Sequence, residues 1–248
     1  HERFATAKIK RNDIRLDVAT ARTEYYETPA ALPTVKMSSI KKDLYRRDFT
    51  INTLAVRLNP RQFGQLVDFF GGQRDLKDRT IRVLHNLSFV EDPTRAYRAV
   101  RFAERFGFKL SKQTKDLIKS SLKMDLFSKL SGSRLLDELV LTFREAEPFR
   151  VIKRYADFGL LEVIHKGLVL TDELEALLSA VHDTHLWFGL SFQGEVPNFT
   201  ATYLMALVSQ LKDEQKEEAL ERLDVPPKLH KAALRGIQAA HGLLRRMP

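Results

Sequence analysis

The order of hydrophobic and polar positions divides the chain into a first part with strand spacing and a longer second part with helical spacing. After a polar turn, apolar Ile14, Leu16 and Val18 alternate with polar residues, a period of two that predicts a half-buried strand. This strand, residues 14–22, is expected to pair with residues 4–9 across the turn. The start of the sequence therefore predicts a β-hairpin.

Helical spacing governs almost everything beyond residue 110. Two of these segments, 111–122 and 131–145, begin at a serine, whose hydroxyl is a favoured helix N-cap. Further amphipathic helices are predicted over residues 148–155, 172–187, 201–210, 214–223 and 228–244. Residues 23–39 contain two prolines and are expected to form an irregular loop. The pattern predicts an α+β fold, with strands and short helices first and an all-helical remainder.

Composition narrows the class of protein without naming it. The 248 residues are 44% hydrophobic, which is enough to bury a sizeable core in one or two domains. The sequence contains no cysteine, which excludes disulfides and thiolate metal sites and fits a cytoplasmic protein. It also contains no apolar run long enough to span a bilayer, so we expect no membrane partner.

The formal net charge of +9 is concentrated in one region. Residues 36–119 contain 19 Lys and Arg against 9 Asp and Glu, so this region carries the whole excess. Such a surface binds polyanions through their phosphates, with an affinity that falls steeply as salt rises. We therefore expect RNA to bind here, and a generic basic surface is the alternative.

A carboxylate and a guanidinium stand three residues apart in the run Glu-Asp-Pro-Thr-Arg at 91–95. On a helix, this spacing would place Asp92 and Arg95 on one face. The carboxylate can then accept from an amino group while the guanidinium donates to a ring nitrogen. Cytosine and adenine offer that pair of groups, whereas uracil and guanine place a carbonyl beside an N–H. The pair can therefore select a nucleobase.

An alternative interpretation gives these side chains no ligand. Asp92 then only caps a helix, and four arginines form a solvated basic face. A helical projection argues partly against this, because Asp92 and Arg95 fall within the apolar arc while Arg101 lies nearly opposite. The four arginines are Arg95, Arg98, Arg101 and Arg105.

Two further motifs precede this one along the chain. They are Arg-Arg-Asp-Phe-Thr-Ile-Asn at 46–52, after a serine-capped helix, and Phe-Gly-Gly-Gln-Arg-Asp-Leu at 70–76. Together with the run at 91–95, they closely resemble the class II nucleotidyltransferase family. This family contains the bacterial CCA-adding, A-adding and CC-adding tRNA nucleotidyltransferases and poly(A) polymerases. Arg134 and Glu138 resemble its weak last motif, which is more structural than catalytic.

The resemblance implies a role for each motif. The Arg-Arg-Asp motif contributes to binding the incoming nucleotide, which maps here to Arg47 and Asp48 with Asn52 in support. The Glu-Asp-x-x-Arg motif is the amino-acid template, in which Asp92 and Arg95 select the base and the leading glutamate orients them. The full set of candidate nucleotide-binding residues is Arg47, Asp48, Asn52, Glu91, Asp92, Arg95 and Arg98.

One part of the family pattern is absent from these 248 residues. Nucleotidyl transfer in this family needs an Asp-x-Asp pair that holds two metal ions, and Mg²⁺ is the expected cofactor. The sequence contains no Asp-x-Asp and begins at His1, so we expect the main metal ligands upstream of residue 1 and no activity from this chain alone. Asp17 is a candidate catalytic and metal-binding carboxylate, and an ordinary surface aspartate is the alternative.

The run His-Asp-Thr-His at 182–185 also contains residue types that bind metals. On a helix, His182 and His185 would share a face while Asp183 is turned about 100° away. We therefore favour a structural or surface role for these residues.

The resemblance also divides the chain. Residues 1–83 would form the C-terminal part of a catalytic head, a mixed β-sheet with helices. Residues 84–147 would form a helical neck with the nucleobase-reading helix, and residues 148–248 a helical, tRNA-binding body and tail. Phe-Gly-Gly at 70–72 would be a hinge between head and neck, and a simple turn is the alternative.

The implied reaction is addition of A, or of C, C and A, from nucleoside triphosphates to the 3′ end of tRNA, with release of pyrophosphate. Protein side chains would choose the base. The implied partners are the tRNA 3′ end, ATP and, for a C-adding enzyme, CTP. A poly(A) polymerase of the same family and a non-catalytic RNA-binding module are the alternatives.

Overall fold

The computed structural model describes residues 6–25, 27–28, 34–191 and 198–244. The strands are β1 Thr6–Arg11, β2 Ile14–Ala19, β3 Arg22–Tyr25, β4 Thr34–Met37, β5 Ala55–Val56, β6 Leu66–Val67, β7 Thr80–Ile81 and β8 Lys109–Leu110. The helices are α1 Ile40–Tyr45, α2 Gly72–Lys77, α3 Ser88–Glu91, α4 Thr94–Phe106, α5 Lys112–Lys123, α6 Gly132–Phe143, α7 Pro148–Phe158, α8 Asp172–Leu190, α9 Phe199–Val208, α10 Asp213–Arg222 and α11 Pro227–Leu244. The predicted α+β fold is confirmed.

The strands pair two by two into small sheets. Strands β1 with β2, β3 with β4, and β5 with β6 are antiparallel, and β7 with β8 is parallel. The predicted hairpin is present as β1 and β2, and its register places Lys8 opposite Asp17. The half-burial predicted for its second strand is wrong, because Ile14, Leu16 and Val18 are all exposed. The portion predicted before residue 6 lies outside the described residues.

The irregular loop predicted over residues 23–39 is wrong at both of its ends. Strands β3 and β4 occupy these ends and pair with each other. The two prolines between them lie outside the described residues. Short charged strands show no clear alternation, and the pairing partner decides their conformation.

Helix α4 is the central element of the fold. It packs against α3, α6, α7, β7 and β8. Its apolar residues Ala96, Ala99 and Val100 are fully buried, as the projection indicated. Arg95 and Arg101 are also buried, with 5% and 2% of their surface exposed, so the interpretation as a solvated basic face is wrong for both. A helix surrounded on several sides has no fully polar face.

Helices α5 and α6 begin after Ser111 and Ser131 as predicted, but only Ser111 caps its helix through its side chain. The hydroxyl of Ser111 accepts from the backbone N–H of Thr114 at the start of α5. Helix α7 ends at Gly159, whose φ of +77° closes the C-terminus in the left-handed conformation. In the core between α4 and α7, the Tyr97 hydroxyl donates to the carbonyl of Leu160 at 2.7 Å.

No helix in the described ranges combines the length and the apolar character needed to cross a membrane.

Candidate nucleotide-binding site

A polar pocket of about 450 Å³ lies where the Arg-Arg-Asp motif meets the start of α4. It is lined by Glu24, Arg46, Arg47, Asp48, Asn52, Asp92, Arg95 and Arg98. All but one of the predicted nucleotide-binding residues are in this set. The exception, Glu91, lines a neighbouring cavity of about 300 Å³.

Asp48 is buried, and its carboxylate is held by the protein on both oxygens. Oδ1 accepts from the backbone N–H of Phe49 and from Nδ2 of Asn52, each at 2.9 Å. Oδ2 accepts from Nε and Nη2 of Arg98 at 2.9 and 2.6 Å. The motif is thereby joined to α4, and Asn52 holds Asp48 in place.

Arg98 begins a row of alternating charges between α4 and α6. Its Nη1 lies 3.6 Å from Oε1 of Glu138. Arg101 donates to Glu138 at 2.8 Å and to Glu145 at 3.2 Å. Burial lowers the pKa of Arg98, but Asp48 and Glu138 outweigh burial and leave the pKa above its ordinary value. The guanidinium is therefore permanently charged and fixed beside the pocket.

The two arginines of the motif have different surroundings. Arg46 bridges Asp43 and Glu24, with N–O distances of 2.9 and 2.7 Å. The side chain of Arg47 is 45% exposed and lies 3.6 Å from Asp43. Arg46 therefore joins α1 to β3, while Arg47 is available to an anionic ligand.

Glu24 is a pocket residue that sequence reasoning missed. It lies on β3, in the segment predicted to be an irregular loop, and enters the pocket through its ion pair with Arg46. No local signal marks it, because its partner lies 22 residues away.

Asp92 precedes α4 and does not lie on it, which corrects the helical spacing predicted from the sequence. Its backbone is extended, and α4 begins at Thr94. Oδ1 accepts from the backbone N–H and hydroxyl of Thr94 at 3.0 and 2.6 Å, and from Nη2 of Arg134 at 2.7 Å. Oδ2 accepts no hydrogen bond from any described residue. One oxygen therefore caps the helix while the other is available to a ligand.

The guanidinium of Arg95 is held from three directions. Nη1 donates to the hydroxyl of Ser88 at 3.1 Å and to Oε2 of Glu91 at 3.4 Å. Nη2 donates to the backbone carbonyl of Arg46 at 2.7 Å. Burial raises the pKa of Glu91, and the positive charge of Arg95 opposes this in part. Arg95 thus has a defined orientation at the pocket.

The Phe-Gly-Gly motif forms the tight turn that begins α2. Gly71 has φ +76°, a left-handed conformation that glycine adopts without strain. A Cβ on Gly72 would lie 2.6 Å from the carbonyl of Thr50. The buried carboxylate of Asp75 accepts from the hydroxyl of Thr50 at 2.7 Å and from Nε of Arg82 at 2.9 Å. Through Thr50, this turn packs against the motif at 46–52. Its role as a hinge stays a prediction.

Asp17 is not brought to this pocket. It is exposed on β2, and it is absent from the pocket lining. Within the described ranges, no group of three or more His, Cys, Asp and Glu side chains is placed to hold a metal ion. The described residues therefore do not form a two-metal centre.

Two family models match the chain. The model described as "Poly A polymerase head domain" matches residues 1–82. The model described as "Probable RNA and SrmB- binding site of polymerase A" matches residues 107–179. A crystal structure of a tRNA nucleotidyltransferase with a primer tRNA and an incoming ATP analog is 35% identical, with a TM-score of 0.79, and the match covers 98% of this chain and 70% of that one. The chain belongs to the tRNA nucleotidyltransferase family.

Other members of the family are more similar in sequence. A CCA-adding enzyme in an apo form is 40% identical with a TM-score of 0.86, over 99% of this chain and 57% of that one. The A-adding tRNA nucleotidyltransferase of Geobacter sulfurreducens is 53% identical over 91% of this chain and 26% of its own length. That of Aquifex aeolicus is 40% identical over 90% and 27%. The chain thus spans about a quarter of these curated relatives, and the resemblance drawn from the motifs is confirmed.

Proposed function

We propose that this chain is the nucleotide-selecting and RNA-binding part of an A-adding tRNA nucleotidyltransferase, which transfers AMP from ATP to the 3′ hydroxyl of tRNA. One observation carries the proposal: residues from two separate motifs, the run at 46–52 and the run at 91–95, line a single polar pocket. The main ligand-facing or supporting groups of this pocket are Arg47, Asp48, Asp92, Arg95 and Arg98. The A-adding relatives support the choice of adenine.

The roles of these residues follow from their contacts. Arg47, exposed at the pocket, is suited to the triphosphate, because its guanidinium can donate to phosphate oxygens. Oδ2 of Asp92 is suited to accept from the adenine amino group, while Arg95 donates toward the ring nitrogen.

We also propose that this chain binds RNA, and helix α5 presents a surface suited to RNA. Lys112, Lys115, Lys119 and Lys123, here called the lysine face, fall within an arc of about 80° on the helix. This arc points away from the buried side chains of α5, and Asp116 lies at its edge. None of the four lysines forms an ion pair with a described residue. The face is about 16 Å long and presents unneutralised charge to a phosphate backbone.

The other proposals come from the resemblance. We propose that residues 1–83, 84–147 and 148–248 act as part of the head, as neck and as body, and that the enzyme acts in the cytoplasm. We propose Mg²⁺ as the cofactor, and Asp17 stays a candidate ligand. The metal would activate the primer hydroxyl and neutralise the leaving pyrophosphate.

Primer extension by the complete gene product tests the proposal. The substrates are tRNAs that end before CCA, after one C and after both, each with Mg²⁺ and ATP or CTP alone. Addition of A only to the tRNA that ends in CC supports an A-adding enzyme. Stepwise addition of C and then A would identify a CCA-adding enzyme, and a long A ladder on unrelated RNA a poly(A) polymerase. Salt-sensitive tRNA binding without incorporation would leave the RNA-binding module.

A further inference from the structure

Behind the pocket, an imidazole is connected to the proposed base-reading pair. His85 lies in the turn before α3, and its ring stacks on Tyr45 with centroids 4.9 Å apart and planes inclined by 29°. Its Nε2 lies 3.5 Å from Oε2 of Glu91. The same oxygen of Glu91 accepts from Nη1 of Arg95 at 3.4 Å. One carboxylate oxygen therefore lies between the imidazole and the guanidinium.

The end of α1 contacts both the imidazole of His85 and the guanidinium of Arg95. Tyr45 is the last residue of this helix and Arg46 is its C-cap. The Tyr45 ring lies against His85, while the Arg46 carbonyl accepts from Nη2 of Arg95 at 2.7 Å. Two consecutive residues thus clamp the imidazole and the guanidinium, so a displacement of either is opposed by the same helix end.

The clamp extends to the glycine turn. The ring of Tyr45 also contacts that of Phe70, with centroids 5.7 Å apart. Phe70 directly precedes Gly71, the residue with φ +76°. A continuous row of rings therefore connects the turn before α2 with the carboxylate that holds Arg95.

We propose that His85 is a positioning residue for base selection: held by Tyr45, it fixes the Glu91 carboxylate against Arg95 and so orients the guanidinium that reads the base. This inference rests on the proposed function, in which Arg95 is a base reader. His85 does not line the pocket, so its effect passes through Glu91 and Arg95.

The electrostatics suit this role. Burial, and then the positive charge of Arg95, lower the pKa of His85 below its ordinary 6.5, so the imidazole is neutral at pH 7. A neutral imidazole beside Glu91 brings no positive charge to the carboxylate and leaves its negative charge to Arg95. A cation at this place would compete with Arg95 for the same carboxylate.

Three substitutions in the complete gene product separate the ring stack from the polar contact with Glu91. His85→Ala removes both, His85→Phe keeps the ring stack without the polar contact, and His85→Gln keeps a polar group without the ring. The readouts are equilibrium binding of ATP and GTP by calorimetry and the kcat and KM for each nucleotide on tRNA ending in CC. For His85→Ala we expect the preference for ATP over GTP to fall at least about tenfold, with the KM for tRNA unchanged. His85→Gln should retain more of the preference than His85→Ala.

His165→Ala is the matched control, because it also removes a histidine that faces a glutamate, Glu218, at 3.1 Å. It should leave the preference unchanged. Full preference in His85→Ala or in His85→Phe, or an equal loss in His165→Ala, would overturn the proposal.

The proposal and the proposed function fail separately. If the wild-type protein binds ATP selectively but adds nothing to tRNA, the proposed function is wrong. The binding data for the variants then still decide the role of His85. A wild-type protein that binds both nucleotides equally overturns the positioning role itself. Thermal melts show whether each variant is folded. If His85→Ala is not folded, His85→Gln and His85→Phe provide the test instead.

Discussion

At the scale of single residues, the site depends on charged groups that hold each other before a ligand arrives. Asp48 receives two hydrogen bonds from Arg98, and Arg95 is oriented by Glu91 and by the carbonyl of Arg46. Preorganised charges do not have to be reoriented when the nucleotide binds, so their arrangement contributes directly to selectivity.

Removal of Arg98 should damage this arrangement. In Arg98→Ala, the carboxylate of Asp48 loses both bonds on Oδ2 and stays in a buried position, at a cost of about 2 kcal/mol. The freed negative charge also repels a triphosphate, so we expect ATP binding to weaken by about tenfold or more. Calorimetric titration with ATP measures the change in affinity. Arg105→Ala removes an equal charge from the same helix, where Arg105 pairs with Glu145, and should leave ATP binding nearly unchanged.

Gly72 is a second position at which a single substitution should have a large effect, here on the stability of the fold. In Gly72→Ala the new Cβ would lie 2.6 Å from the carbonyl of Thr50, and backbone atoms would have to move. We expect a loss of about 1–3 kcal/mol in the free energy of unfolding, measured by urea denaturation. Gly189→Ala is the control, since nothing lies within 4 Å of its Cβ and alanine favours the helix α8. Equal stability of the two variants would contradict the close packing at Gly72.

At the scale of elements, α4 and α6 form the frame on which the pocket is built, and α5 carries the lysine face. The row of Arg98, Glu138, Arg101 and Glu145 joins α4 to α6, and Arg134 of α6 holds Asp92. The last motif thus joins α6 to α4 and holds Asp92, the residue proposed to read the base.

The lysine face makes a prediction at this scale. Lys119→Gln together with Lys123→Gln should reduce the slope of log K against log salt for tRNA binding by about two, because each lysine that neutralises a phosphate contributes about one. Fluorescence anisotropy titrations at several salt concentrations measure the slope. Lys153→Gln is the control, because Lys153 is already paired with Glu175 at 2.8 Å. An unchanged slope in the double variant would exclude this face from RNA binding.

At the scale of the whole molecule, two histidines with lowered pKa values make stability depend on pH. His85 and His185 both have pKa values below the ordinary 6.5, in each case because of burial first, with the charges of Arg95 and His182 as the second cause. His185 is 4% exposed and its ring stacks on Phe199 with centroids 3.7 Å apart. Neither ring nitrogen of His185 bonds to a described residue.

The sign of the effect follows from proton binding. Below pH 6.5 the unfolded chain binds a proton at each histidine, whereas the folded chain binds it only at lower pH. Stability is therefore fully present above 6.5 and decreases as the pH falls through the lower, folded-state values. Urea denaturation across this range should show a shallower decrease for His185→Phe, which keeps the stack on Phe199 and cannot be protonated. An unchanged slope would show that His185 is equally protonated in both states.

Long-range pairing explains why sequence reasoning placed some elements wrongly. The alternation within residues 14–22 and the helical spacing beyond 110 are local signals, and the structure confirms the strand and the helices, with small shifts at the ends. The half-burial predicted for the strand is wrong, because burial depends on which other element packs on it. The strand pair β3–β4 and the burial of Arg101 depend on partners from elsewhere in the chain. No window of neighbouring residues contains that information.

The sequence by itself determined the chemistry of the site, because the motif residues are few, close together and unusual in type. It thereby identified the family and six of the eight residues that line the pocket. Only the tertiary structure decided how these groups are paired. Asp48 and Arg98 lie 50 residues apart, Arg95 and the Arg46 carbonyl 49, and Asp92 and Arg134 42. Such contacts form when packing brings distant segments together, and a local pattern cannot specify them.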